Sequence, residues 1–230
     1  TYLASLVTSG LSDKGMVMRK RSECDEARFL KDVASHEMQI IRDDGVNRHL
    51  RFKRPESSSY YFDLITWPGH LCYTGDMGTY VFSRVEDMFN FFRMSDYDWN
   101  KNPNGLSINP GYWSEKILAT DKGDGHEEWD EDEFVRRVNE VRVGWMRWAR
   151  QIGVKKDDRR ELWEAVEDVL ADPSEESLCV SRIYEFHHRA GSEAFEFMDF
   201  FDGSLTRFSF RFLWCCYALA WAINMYDKSK

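Results

Sequence analysis

The sequence is short of cysteine, of paired metal-ligand spacings and of long apolar runs, and each shortage removes a class of protein. Five cysteines in 230 residues are too few and too scattered for a disulfide framework. Their number is odd, and Cys215 and Cys216 are adjacent within an apolar run. Reduced thiols in a cytoplasmic protein are the expectation. No Cys-x-x-Cys and no His-x-x-x-His occurs, so neither a structural metal nor a cofactor is expected. The most apolar stretch, FLWCCYALAWAI (212–223), has twelve residues without a charge and is flanked by Arg207 and Arg211. A membrane-spanning helix needs roughly 18–20, so this segment reads as a buried core helix and no membrane contact is expected. The first residues, TYLASLVTSGL, lack the positively charged start and long apolar stretch of a signal peptide.

A basic surface is missing too. The net charge is -9, which disfavours direct binding to a nucleic-acid backbone. The deficit is uneven: residues 1–110 are almost balanced, while residues 111–230 carry nearly all of it. Its centre is DKGDGHEEWDEDE (121–133), with eight acids against one lysine. Such a run is either a solvated linker whose last acids favour a helix N-terminus, or an imitation of phosphate spacing that fits a basic groove on another protein. Trp129 inside the cluster adds to the second reading, because a tryptophan among charges makes a contact residue.

What the chain has in abundance is aromatic side chains: sixteen Phe, ten Tyr and nine Trp. With 43% hydrophobic residues, they promise a large core. The pattern predicts a helix over 22–35 capped by Ser22, then two strands in 36–54 turning at Asp44-Gly45. YYFDLITW (60–67) is almost wholly apolar and reads as a central strand covered on both faces. LCYTG and TYVFSR continue an antiparallel meander. Ser83 and Glu86 suggest a capping box for a helix with Val85, Met88, Phe89 and Phe92 on one face. Residues 95–112 read as loop, and YWSEKILAT as a short helix.

Beyond residue 121 everything reads as helix. Phe134, Val138, Val141, Trp145, Trp148 and Ile152 recur every three or four residues, a packing seam. Further helices are predicted over 157–171, from Asp172-Pro173 onward, over 192–201 (SEAFEFMDFF), and over 205–226. The last, apolar nearly all round, is expected at the centre of a helical bundle. The expected fold is α+β: a small antiparallel β-meander with flanking helices in 1–120, then a helical bundle in 121–230.

Candidate chemistry concentrates in TWPGHLCYTGDMGTYVFSR (66–84). His70 and Cys72, two apart, share one face of a strand and suggest two metal ligands or an activated thiol. Asp63, in an apolar strand, needs a partner such as Arg51, Arg54 or Arg84, or could act as an acid with Asp76. Gly75 and Gly78 read as positive-φ turn positions, since no helix follows to complete a phosphate cradle. The loop at Asn100, Asn102 and Asn104 starts a calcium-binding spacing but has Gly111 where the twelfth ligand belongs.

The block YYFDLITWPGHLCYTGDMGTYVFSRVEDMFNFFR (60–93) resembles a segment of proteins encoded by bacteriophages and prophages. That family carries no assigned catalytic residues, so none transfer. The resemblance implies a viral protein working in the cytoplasm of a bacterial host. The leading expectation is a non-enzymatic inhibitor of a host anti-phage component, a nuclease or CRISPR effector, contacting it through Asp124, Glu127, Glu128, Trp129, Asp130, Glu131 and Asp132. The alternative is an enzyme on a nucleotide or nucleic acid using Asp63, His70, Cys72 and Asp76. A third reading is an assembly protein whose apolar helices form a homo-oligomer.

Overall fold

The computed structural model describes residues 24–93, 105–122 and 125–230. Its fold is α+β: a six-stranded antiparallel sheet in meander order, with helices on one face and a helical region following. The strands are β1 (Glu37–Asp44), β2 (Asn47–Lys53), β3 (Phe62–Trp67), β4 (His70–Gly75), β5 (Gly78–Ser83) and β6 (Ile117–Thr120). Alternation builds the core face: Leu50, Leu64, Tyr73 and Tyr80 stand opposite one another across β2 to β5, all buried.

The turns are those the sequence signals. Gly45 (φ 60°) turns β1 into β2, Pro68-Gly69 turns β3 into β4, and Asp76-Met77 followed by Gly78 (φ 98°) turns β4 into β5. Gly75 departs from the expected positive φ. It is glycine because a β-carbon there would lie 2.2 Å from the Tyr61 carbonyl oxygen.

α1 (Glu26–Asp32) is capped by Asp25, whose side chain accepts from the Arg28 amide; Ser22 lies outside the described residues. Ser83 ends β5 and caps nothing; α2 (Met88–Phe92) is capped by Asp87. The single short helix expected over YWSEKILAT divides into two elements. α3 (Pro110–Ser114) is one short helix, and ILAT becomes the sixth strand.

The last helix, α7 (Phe210–Lys228), is the main correction. It lies across the sheet, not inside a helical bundle: Phe212 meets Tyr80, Trp214 meets Phe62, and Trp221 meets Phe52, each within 6 Å between ring centroids. An all-apolar helix needs cover on several sides. The sheet supplies one, and α1 another through Phe29 against Trp214 at 4.9 Å.

The intervening segment forms a second core. α4 (Glu131–Gln151), α5 (Lys156–Val169) and α6 (Glu176–Glu185) bury Phe134, Val138, Leu162, Val166 and Ile183 together. Not all of it is helical. β7 (Glu127–Trp129) pairs with β10 (Thr206–Phe208), and β8 (His188–Ala190) pairs with β9 (Glu193–Phe195). The predicted helix at 192–201 is therefore a hairpin turned by Gly191 (φ 66°) and a following loop. Phe195 and Phe197 are two apart as well as part of a helical pattern, and the two-residue period prevails. Likewise α6 begins at Glu176, not at Pro173. The second core thus leaves the first at β7 and returns at β10, and the paired strands close its base.

Candidate functional site

The face of the sheet away from α7 carries most of the expected catalytic residues. Its central feature is Asp63, 5% exposed, opposite Arg51 on β2. The Arg51 guanidinium donates twice to it, at 2.8 Å each, and His49 Nε2 lies 2.9 Å from Oδ2. Burial alone would raise the Asp63 carboxyl, but these hydrogen bonds outweigh it and hold the group below its ordinary value. A carboxylate so engaged is a fixed anion that pins β2 to β3, not an acid ready to give up a proton. β3 is thus not covered on both faces as expected: on this one Ile65 is half-buried and Trp67 is 38% exposed.

Cys72 lies on the same face, opposite Ile65. Burial, then the nearby Asp63 charge, push its thiol upward, the reverse of what a nucleophile needs. His70 shares that face at the end of β4. Its Nδ1 sits 3.0 Å from the Pro68 carbonyl oxygen, and its ring stacks on Trp67 at 5.1 Å. Asp76 lies past the other end of β4 and accepts from the Tyr60 amide at 2.9 Å. The strand between them spans roughly 17 Å at 3.3 Å per residue, so His70 and Asp76 do not converge. Asp63 and Cys72 are neighbours; the four residues form no common pocket. Among the described residues, no group of three or more His, Cys, Asp or Glu could hold a metal ion. The Asn100, Asn102 and Asn104 loop lies outside them.

The acidic segment is placed at the base of the second core. Glu127 accepts from the Thr206 hydroxyl at 2.8 Å across the β7–β10 ribbon. Arg207 donates to Glu128 at 3.0 Å and stands 3.6 Å from Asp130 and 3.9 Å from Asp132. Asp130 also caps α4, accepting from the Glu133 amide. Trp129 is half-buried: its indole donates to the Pro173 carbonyl at 2.9 Å and its ring packs on Phe134. It is a packing residue of the second core. Glu131 begins α4, and the Asp132 side chain is 65% exposed. Asp124 lies outside the described residues. Arg207, missed from sequence, is the cation around which these acids gather; its contact with Glu128 spans 79 positions, and no local pattern announces that.

A second arginine missed from sequence is Arg48, buried in β2. It donates to both oxygens of Asp87 at 2.9 Å and lies over the rings of Phe89 and Tyr226. It ties β2 to α2 and to the end of α7, a structural task.

Among the described residues, no helix is long and apolar enough to cross a membrane. No family model, no curated protein and no solved structure matches the chain.

Proposed function

We propose that this chain is a phage-encoded binding protein that disarms a host anti-phage component, a nuclease or CRISPR effector, in the bacterial cytoplasm. The observation that carries this reading is the acidic ribbon and helix start at 127–132, where Glu127 is exposed and Asp132 projects into solvent beside Glu131. Arg207 draws Glu128 and Asp130 together, and the β7–β10 pairing sets the spacing of the ribbon that carries them. A spaced, fixed set of negative charges is what a phosphate-binding groove recognises. The commitment of Asp63, Cys72, His70 and Asp76 to separate structural roles favours binding over catalysis.

The test is plaque formation on bacteria carrying one defined nuclease or CRISPR system at a time. Expression of the chain is expected to restore plating on at least one such host. The triple variant E127Q/E131Q/D132N, which spares the Arg207 bonds to Glu128 and Asp130, is expected to lose that effect. Restoration unchanged by the variant removes acidic mimicry; no restoration on any host overturns the inhibitor reading.

A further inference from the structure

The second core carries a groove that the acidic ribbon does not use. It lies between α4 and β9, encloses about 430 Å³, and is lined by Trp145, Trp148, Ala194, Phe195, Glu196 and Met198. Trp145 and Trp148 are three residues apart on α4 and therefore stand on one stripe. Phe195, 2% exposed, lies beneath both: their rings stand at 67° and 68° to its own, at centroid distances of 5.6 and 5.4 Å. Trp145 is fixed from behind by stacking on Phe186. Trp148 is 42% exposed. The single charge of the lining is the half-exposed Glu196 carboxylate, held in place by His187 at 2.7 Å.

We propose that this groove receives the ammonium head of a lysine side chain, free or methylated, from a partner polypeptide. Aromatic faces are electron-rich and attract cations, and a carboxylate at the mouth adds to that attraction. The lining holds no lysine or arginine to compete. Phe195 is buried beneath both indoles, so the cation meets the half-buried Trp145 and the exposed Trp148 beside Glu196. Glu196 keeps exposed surface beyond its His187 contact, where a cation adds a favourable charge interaction and an anion would be repelled. A polypeptide source fits because apolar surface is exposed at the groove's rim and past it: Met198 in the lining is 75% exposed, and Ile152, one turn beyond Trp148 on the same stripe, is 44% exposed. The net charge of -9 favours a basic partner in the same direction. This inference stands independently of the acidic ribbon.

The experiment titrates the full chain with a short peptide carrying one Nε-trimethyl-lysine, the same peptide with lysine, and the same peptide with the neutral tert-butyl carbon isostere. Calorimetry gives affinity, and the indole N–H signals of Trp145 and Trp148 report the place. Both cationic peptides are expected to bind and move these two signals, with the isostere roughly tenfold weaker or more, as a cation–π site requires. Glu196→Gln, at a half-exposed position, is expected to weaken the cationic peptides and to melt like the parent chain; Trp148→Ala is expected to weaken them too, with some loss of stability because it uncovers Phe195. Isostere binding as tight as the cation, or cation binding that leaves both indoles unmoved, overturns the proposal. So does absence of binding. Tetramethylammonium alone binding as tightly as the peptides overturns the polypeptide source.

Discussion

Arg48 and Asp63 show at the scale of single residues why a charge in an apolar strand is a question about partners. Arg48 is 8% exposed and is satisfied by Asp87, Phe89 and Tyr226 together. Removing Asp87 leaves the buried guanidinium only the longer ion pair with Asp43, at 4.0 Å, which is costly. Asp87→Ala is expected to lower stability by about 3 kcal/mol in urea unfolding, part of it from the lost α2 cap. Arg93→Ala, which breaks the exposed pair with Asp227, is expected to cost under about 1 kcal/mol. Equal losses in the two variants would refute the contrast. Cys72 supplies a second check. With its thiol raised by burial and by Asp63, it is expected to react with a thiol reagent more slowly at pH 8 than a free cysteine does. A fast burst assigned to Cys72 at neutral pH would revive the enzyme alternative. That Asp63 needs an arginine was legible in the strand pattern, and Arg51 was among the three choices. Only the register selected it, because Arg51 and Asp63 are opposite one another in the β2–β3 ladder.

At the scale of elements, the meander was legible and the short strands were not. Hairpins closed by Asp-Gly, Pro-Gly and Asp-Met-Gly bring neighbours in sequence together, so local turn chemistry suffices. β7 and β10 are three residues each and pair across almost eighty positions, beyond any local signal. The hairpin of β8 and β9 failed for another reason: its phenylalanines satisfy both periods, and Gly191 was the cue that mattered. Gly75 also changed its role, from a turn glycine to a point of close backbone approach. Gly75→Ala is therefore expected to destabilise by about 1–3 kcal/mol, since its β-carbon meets backbone 2.2 and 2.7 Å away. Gly111→Ala in α3, where nothing lies within 4 Å, is expected to be neutral or stabilising by up to about 1 kcal/mol. Thermal melts of the two variants decide; a harmless Gly75→Ala would contradict the close approach.

For the whole molecule, the arrangement of two cores governs both stability and the two candidate surfaces. The first core joins the sheet to α7 from the far end of the chain, and the second is closed at its base by the β7–β10 ribbon. Three carboxyls of the sheet and the α2 cap, Asp43, Asp63 and Asp87, are held below their ordinary value of 3.8. For Asp43 the chief cause is the Lys230 hydrogen bond; for the others arginine bonds overcome the opposing effect of burial. A depressed folded value means stability present in full at neutral pH and lost as pH falls below about 4 through the folded values. Urea midpoints are expected to drop steeply between pH 5 and 2. Asp63→Asn is expected to destabilise the chain at pH 7, and that loss to shrink in this range as the parent carboxyl takes up its proton. A gap that stays constant with pH would show that Asp63 does not supply this stability.

Beyond residue 121 the expected run of helix gave way at β7 to β10, but by itself the sequence determined the class of fold, the meander with its turns and three helices between 130 and 185. All of these follow from local periodicity and turn chemistry. Tertiary structure alone decided where α7 packs, because an evenly apolar helix has no face to announce its partner. It also decided that Trp129 turns to the second core, that Arg207 gathers the acids, and that Trp145, Trp148 and Phe195 meet around one groove. Those contacts join positions far apart in the chain, and only the folded register brings them within reach.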